Sequence, residues 1–477
     1  MHLRYVFLLL LSVIAVPAHG HAKAAKPNVI LVMTDDQGWG ETGYNGHPHL
    51  ATPHLDAMAA NGMRFDRFYA AAPVCSPTRA SILTGRSPFR TGVFLHGLPL
   101  RLQERTIAQA MRSAGYATAH MGKWHLDGLR GPGVPILGTD SHHPGEFGFE
   151  HWISSTNYFD FDPILSNAGT FEMATGEASA AVFSHALKFI ESMAAAHRPF
   201  FLVLWVSAPH KPFLATSRDR ESFADLDEES QHHYGELVAF DRELGNLRQA
   251  LRDWDLAKNT ILWFCSDNGG LPDLAGGTTG GLRGFKASLW EGGLRVPAII
   301  EWPGHIQPGS TAFPAATFDI FPTLADILDL PVDRFIQPID GISLREAIWS
   351  GQTARSRPLG FLFRDQAAFI DGRFKLIRLQ QDPQAWALFD LENDPAEEHD
   401  CSDAEPEQFK LLKSAFDAWR QSVDASVAGK DYPEGTVLPG ESESLSWWDH
   451  PAYAPWLPDW RDRPDYREVL LKAVPPP

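Results

Sequence analysis

Cysteine is scarce in this chain: Cys75, Cys265 and Cys401 are the three present among 477 residues. They are too few and too widely spaced to look like a disulfide framework. Cys265 lies inside an apolar, strand-like run and reads more simply as a buried small hydrophobe than as a partner for Cys401. Positive charge is scarce as well. The 41 Lys and Arg face 59 Asp and Glu, for a formal net charge of −18, which disfavours a nucleic-acid partner and non-specific adsorption to anionic membranes. An anionic ligand must therefore be met by a local concentration of basic groups, so the few conspicuous Lys, Arg and His positions carry unusual weight. Apolar runs are short. The one from Val6 to Pro17 falls below the roughly 18 to 20 residues that a membrane span requires and ends in small and polar residues, so no membrane anchor is expected. No internal repeat is evident.

That short run has another reading. Met1-His2-Leu3-Arg4 precedes it, and Ala18-His19-Gly20 and Ala22-Lys23-Ala24 follow. This is the layout of a secretory signal over residues 1–22 with cleavage near residues 20–24, and it places the mature protein in the periplasm or outside the cell. No cysteine stands at the cleavage region, which speaks against a lipid anchor. The remaining length suits one large domain plus a smaller one.

Several apolar runs end abruptly in polar residues. Val29 to Met33 ends in Thr34-Asp35-Asp36, Tyr116 to Met121 in Gly122-Lys123-Trp124-His125, Phe200 to Val206 in Pro209-His210, and Thr260 to Cys265 in Ser266-Asp267-Asn268-Gly269. Such runs read as strands buried on both faces, and the carboxyl ends of strands are where open α/β sheets place their chemistry. Helical spacing between them, over Thr52–Gly62, Thr106–Ala114, Ala178–Ala196 and Gln231–Trp254, predicts an α/β fold: a large, mostly parallel central sheet sandwiched by helices. The run Cys75-Ser76-Pro77-Thr78-Arg79, continued by Ala80 to Arg86, predicts a helix that starts beside Cys75 and sets it at a positive helix end, a place suited to an anionic ester.

The character changes after Gly351. Short alternating runs around an Asp371-Gly372 turn, the run Trp386 to Leu391 and a helical stretch Glu407–Ser422 predict a smaller C-terminal α+β domain on an antiparallel sheet. The expected division is a catalytic domain over 26–354, the small domain over 355–426 and an aromatic extension over 427–477. That extension carries Trp447, Trp448, Trp456 and Trp460 and is expected to pack back over the body. Sugar stacking or a homo-oligomer contact would use the same aromatic faces. The aperiodic stretch Leu126–Pro163 reads as a cleft lining or a surface loop. His47, His142, His143 and His151 show no metal-ligand spacing and read as loop residues, with Asn157 and Trp152 of similar standing.

Carboxylate and amide oxygens at Asp35, Asp36, Asp267 and Asn268 suit a hard divalent cation better than zinc, which more often recruits His or Cys. Singly, an Asp-Asp pair is a cap or turn, His125 or His210 a structural histidine, and Lys123, Lys286 or Arg79 a surface group. Taken together, the ordered motifs from Pro27-Asn28-Val29-Ile30 through Cys75-Ser76-Pro77-Thr78-Arg79, Gly122-Lys123-Trp124-His125, Ser207-Ala208-Pro209-His210 and Ser266-Asp267-Asn268-Gly269 resemble the type I sulfatases of the alkaline-phosphatase-like superfamily. Glu291 to Pro297 and Leu388 to Pro395 extend the resemblance, which spans about residues 26–395.

The resemblance implies that a maturase oxidises Cys75 to formylglycine, whose hydrate is the nucleophile. It implies one divalent cation, usually calcium with magnesium the alternative, among Asp35, Asp36, Asp267, Asn268 and the modified Cys75. It also implies roles for single residues: Arg79 anchors the formylglycine, Lys123 contacts the diol and the sulfate, His125 is the base for sulfate release, and His210 and Lys286 hold the sulfuryl oxygens. His210 would protonate the leaving oxygen. The implied reaction is hydrolysis of sulfate monoesters, with sulfated glycans or oligosaccharides, attacked at a chain end, as the expected substrates. The alternatives are an aryl or alkyl sulfatase, a phosphonate or phosphate monoester hydrolase of the same superfamily, and a glycan-binding protein that keeps the fold without the activity.

Overall fold

A computed structural model of the protein describes residues 26–331, 335–378, 382, 385–440 and 443–473. The expected leader and its cleavage region lie outside the described residues. Five strands make the parallel centre of a ten-stranded sheet: β1 (Asn28–Thr34), β2 (Ala117–Lys123), β3 (His151–Ser155), β4 (Phe200–Trp205) and β5 (Thr260–Ser266), side by side in the order β5-β1-β4-β2-β3. Antiparallel neighbours extend both edges, Ala298–Glu301 beside β5 and Ile164–Asn167 beside β3.

Every residue of β1, β2, β4 and β5 is buried, which is why β4 and the interiors of β1 and β5 are unbroken apolar runs, while β2 also buries Thr118, His120 and Lys123. Alternation survives in which core each side chain enters. Val29, Leu31 and Met33 join Ala80, Ile82 and Leu83 of helix α1 (Cys75–Thr84) on one face. Ile30 and Val32 meet Val182 and Phe183 of α2 (Ala178–Ala195), and Phe240 and Leu244 of α3 (Glu228–Asp253), on the other. The expected sandwich of helices about a mostly parallel sheet is therefore present. Helix α3 begins three residues before its expected start because the Asp227 side chain accepts the Ser230 backbone N–H, with Glu228 and Glu229 facing the positive helix end.

Where β2 hands over to the loop that follows, Gly122 has φ +100°, and a Cβ there would lie 1.9 Å from the Trp205 carbonyl oxygen of β4. Only glycine permits this approach, and Lys123 is delivered by it. Gly122→Ala is expected to cost about 2–4 kcal/mol, from backbone strain plus a forced separation of β2 and β4. A denaturant midpoint equal to that of the wild type would show that the strands can part cheaply.

A second, four-stranded antiparallel sheet is formed by Leu359–Phe363, Gln366–Asp371, Phe374–Arg378 and Trp386–Asp390, joined in sequence order. Gly372 takes φ +57° in its central hairpin turn. Helix α4 (Pro406–Val427) covers one face, with Leu412, Phe416 and Val423 against Leu362, Phe369 and Leu376. The other face packs on the large sheet's body, Phe361, Phe363 and Phe389 meeting Tyr69, Val74 and Leu294.

The chain beyond α4 returns across the body. Leu445–Ser446 adds in parallel to Leu129–Arg130, and Trp447, Tyr453, Trp460 and Tyr466 are buried with Leu129, Val134 and Ile164. All three cysteines are free, Cys75 and Cys265 buried and Cys401 half-buried. Among the described residues no helix is long and apolar enough to cross a membrane.

Candidate active site

The parallel strands point their carboxyl ends toward one region, and the residues that follow them meet there. Asp35 and Asp36 follow β1, His125 follows β2, His210 follows β4, and Asp267 and Asn268 follow β5. Cys75 opens α1, a helix whose ten residues are all buried. One possible ligand atom from each of Asp35, Asp36, Cys75 and His210 lies within 4.8 Å of the others. Asp36 and His125 both hold left-handed backbone, φ +71° and +55°. Non-glycine residues persist in that region only where the surroundings impose it.

Three carboxylates are matched by three cations. The Lys123 ammonium donates to Asp35 at 2.5 Å and Lys286 to Asp36 at 2.6 Å. Arg79 donates to Asp267 at 2.7 Å and to the Lys123 carbonyl at 2.9 Å, lies 3.4 Å from Asp35, and stands over the Trp205 ring. Asp267 also accepts the Asp36 backbone N–H. Burial would raise the Asp35 carboxyl, but Lys123, then His210 and Arg79, outweigh it and hold Asp35 well below the usual carboxylate range. Balanced charge leaves room for a divalent cation to make the site net positive, as an anionic ester needs.

Asn268 tests whether such a cation fits. Its amide nitrogen donates to Asp36 at 2.8 Å, while its buried Oδ1 has no hydrogen-bond donor. An oxygen left in this condition is costly unless a cation or a donor meets it. With the neighbouring carboxylates it makes a donor set for calcium or magnesium.

The candidate proton carriers are set apart by environment. His125 is buried, neither ring nitrogen has a hydrogen-bond partner, and burial, then Lys123 and Arg79, hold it well below the ordinary histidine value. It is a neutral imidazole with a free acceptor. Burial, then Lys286, push His210 down to about 4. Its Nδ1 meets the Lys211 carbonyl at 2.5 Å, so Nδ1 carries the proton and Nε2, 3.8 Å from an Asp36 oxygen, is bare in the neutral ring. In this surrounding the free ring is unprotonated at neutral pH, and the donor role that the resemblance implies requires a proton gained with the substrate. Burial, then Asp35, push the Cys75 thiol up, and its Sγ lies 3.4 Å from an Asp35 oxygen. A thiol so placed is protonated at neutral pH and a poor nucleophile.

Above these residues opens a cleft of about 440 Å³ lined by Cys75, His125, His210 and Lys286, and also by His96, Arg130, Asn157, Tyr158, Phe363 and Arg364. Tyr158 stacks on His210 with 4.4 Å between ring centroids. Arg130, Asn157 and Tyr158 lie in the stretch Leu126–Pro163 that reads from the sequence as a cleft lining or a surface loop, and of the further residues Asn157 is the one singled out by name. The others come from aperiodic loops and from the tip of a distant hairpin, and no motif marks them. Trp152 is buried against His143, His47 packs on Tyr234 and His151 on Phe189, none of them lining the cleft. Phe285 is exposed and also off the lining. A cavity of about 550 Å³ at the opposite end of β5 offers no comparable grouping, since its Arg248 and Glu301 are paired at 2.8 Å.

Behind Tyr158, burial, then Asp465 and Glu177, push the Asp160 carboxyl up to about 8. The unfolded carboxyl ionises near pH 4, so between about pH 4 and 8 the folded state binds the extra proton and stability falls as pH rises. Asp160→Asn is expected to raise the free energy of unfolding at pH 8 by up to about 5 kcal/mol, read from denaturant titrations, with the gain vanishing near pH 4. A gain independent of pH would assign the effect to packing instead.

Sulfatases predominate among the known proteins similar to this chain. The family model described as Sulfatase matches residues 27–330, and that described as N-sulphoglucosamine sulphohydrolase, C-terminal, matches residues 284–418. The chain is 35% identical to N-acetylgalactosamine-6-sulfatase of Sus scrofa over 403 residues, 76% of this chain and 72% of the relative. It is 30% identical to arylsulfatase A of Homo sapiens over 514 residues, 93% and 97% of the two chains. Among solved structures, Ps i-CgsB in complex with k-i-k-neocarrahexaose superposes with a TM-score of 0.76 at 28% identity, covering 83% of this chain and 92% of that one.

Proposed function

Because the chain belongs to the type I sulfatases of the alkaline-phosphatase-like superfamily and is a sulfate-ester hydrolase, we propose that it removes sulfate from the ends of sulfated glycans or oligosaccharides, using formylglycine made from Cys75 beside a single calcium ion. The observation that carries the chemistry is the convergence of Asp35, Asp36, Cys75 and His210 within 4.8 Å beneath an open cleft. The likeness to a protein solved with a neocarrahexaose supports a carbohydrate substrate. The cleft's modest volume supports a sugar terminus over a long chain, which the acidic body would also repel.

Asp35, Asp36, Asp267 and Asn268 would hold the cation, which when bound adds positive charge that favours both the sulfuryl group and an ionised nucleophile. A hydrated aldehyde at Cys75 offers what the thiol lacks, two hydroxyls on one carbon, one to attack sulfur and one to lose its proton as sulfate departs. Lys123 keeps Asp35 charged and faces the nucleophile from the end of β2, and Arg79 fixes Asp267, whose carboxyl is pushed up to about 7 by burial, then Asp35. Lys286 and His210 meet the sulfuryl oxygens. The bare Nε2 of His210 gains a proton when the ester's negative charge enters, and returns it to the leaving oxygen. His125, neutral and unpartnered, accepts the proton of the second hydroxyl.

The test is mass analysis of the Cys75 peptide from protein made with a competent maturase, beside sulfate release from panels of sulfated saccharides and aryl sulfates. Conversion with release from saccharides supports the proposal. An unconverted cysteine in an active protein removes the nucleophile, and release from aryl esters alone removes the carbohydrate.

A further inference from the structure

Fifteen residues line the cleft and none is Asp or Glu, in a chain whose formal net charge is −18. The two lysines beneath are already matched, Lys123 by Asp35 and Lys286 by Asp36. Arg130 and Arg364 are not: among the described residues neither guanidinium has a carboxylate or another hydrogen-bond acceptor. Their backbones are nonetheless held. Arg130 lies in the short strand that pairs with Leu445–Ser446, and its aliphatic stem crosses Gly97 so closely that a Cβ there would lie 2.6 Å from Cγ. Arg364 sits at the turn between Leu359–Phe363 and Gln366–Asp371, with φ +51° and its guanidinium 5.2 Å from the Phe363 ring centroid. His96 shares the rim. Burial, then Lys286, Lys123, Arg364 and Arg130, lower its pKa, so both arginines act on it.

Two exposed and unmatched guanidinium groups, on held backbones and supplied by different sheets to one cleft, are placed to receive an anion there. We propose that Arg130 and Arg364, beside His96, bind a second anionic group of the substrate, a carboxylate or a further sulfate on the same or the adjoining sugar as the scissile sulfate. This rests on the carbohydrate reading above and narrows it to polyanionic saccharides.

The test compares kcat/KM for sulfate release among matched saccharides carrying the scissile sulfate alone, that sulfate with a uronate carboxylate, or that sulfate with a second sulfate. The wild type is expected to favour a doubly charged saccharide by about tenfold or more, the scale of a charge-assisted hydrogen bond. Arg130→Gln and Arg364→Asn, the latter keeping a residue tolerant of left-handed backbone, are each expected to lower that preference several-fold, and together to abolish it. Whether the carboxylate or the sulfate is favoured identifies the group. The same saccharides are also tested as inhibitors of 4-nitrophenyl sulfate hydrolysis, so that binding is read without turnover. Release without a charge preference, or a preference that survives both substitutions, overturns the inference and leaves the carbohydrate reading standing. Neither release nor inhibition by any saccharide overturns both.

Discussion

Cys75→Ala is expected to lower sulfate release by about 10⁴-fold or more, since the variant has no group to convert and nothing else at the site replaces a covalent nucleophile. The same variant is expected to fold with a stability within about 1 kcal/mol of the wild type, because among the described residues Sγ makes only the weak hydrogen bond to Asp35 at 3.4 Å. Protein left unconverted should be equally inactive, for burial and the neighbouring Asp35 keep its thiol protonated. Initial rates on an aryl sulfate, read beside thermal melts, separate loss of chemistry from loss of fold. A Cys75→Ala protein with a hundredth of the normal rate would place the nucleophile elsewhere.

Arg79→Ala is expected to act on stability as strongly as Cys75→Ala acts on rate. The substitution leaves Asp267 and Asp35, both fully buried, without a cation that touches one at 2.7 Å and the other at 3.4 Å. Removing one partner of a buried ion pair costs about 3–5 kcal/mol, because the stranded charge remains out of water. Calcium offers a diagnostic. A cation that binds the folded state stabilises it by RT ln(1 + [L]/Kd), and the variant, in which no guanidinium competes for Asp267 and Asp35, should gain more from added calcium than the wild type does. A chelator should lower both melting temperatures, and the variant's further. Arg79→Lys restores charge without the planar fork and should fall between. Equal stability of Arg79→Ala and wild type would mean that its carboxylates find other partners.

Much of the frame was legible in the residues because burial on both faces writes itself as an unbroken apolar run. β1, β4 and β5 could be read this way, and the polar residues at their ends fell where the chain must leave the sheet. β3 could not. His151-Trp152-Ile153-Ser154-Ser155 mixes polar and apolar residues within the aperiodic stretch, and only its place beside β2 makes it a strand. The start of α3 was legible and was passed over: Asp227 ahead of Glu228-Glu229 is a helix-start signal, but the apolar periodicity begins later. At the site, residues next to strand ends came together as their motifs suggested. One wall of the cleft comes from the stretch Leu126–Pro163, whose lack of periodicity marked it as a lining or a surface loop; the other did not announce itself, for Arg364 stands at the tip of a hairpin in the second sheet, and its nearness to Cys75 is a fact of packing between two sheets.

The complete enclosure of α1 sets a limit on timing. Cys75 is 2% exposed, at the head of a helix whose ten residues are all buried. Any enzyme that alters this side chain must reach it before the surrounding strands close over it. β5, which flanks β1 and carries Asp267 to Arg79, is synthesised roughly 180 residues after α1, a delay on the order of ten to forty seconds at ribosomal speed. The interval between translation of Cys75 and completion of β5 is thus a window in which the helix has no finished sheet to pack on. Faster folding of the amino-terminal third, by a stabilising substitution, or faster translation of the chain up to β5, would shorten access to the cysteine and yield well-folded protein that lacks its modification.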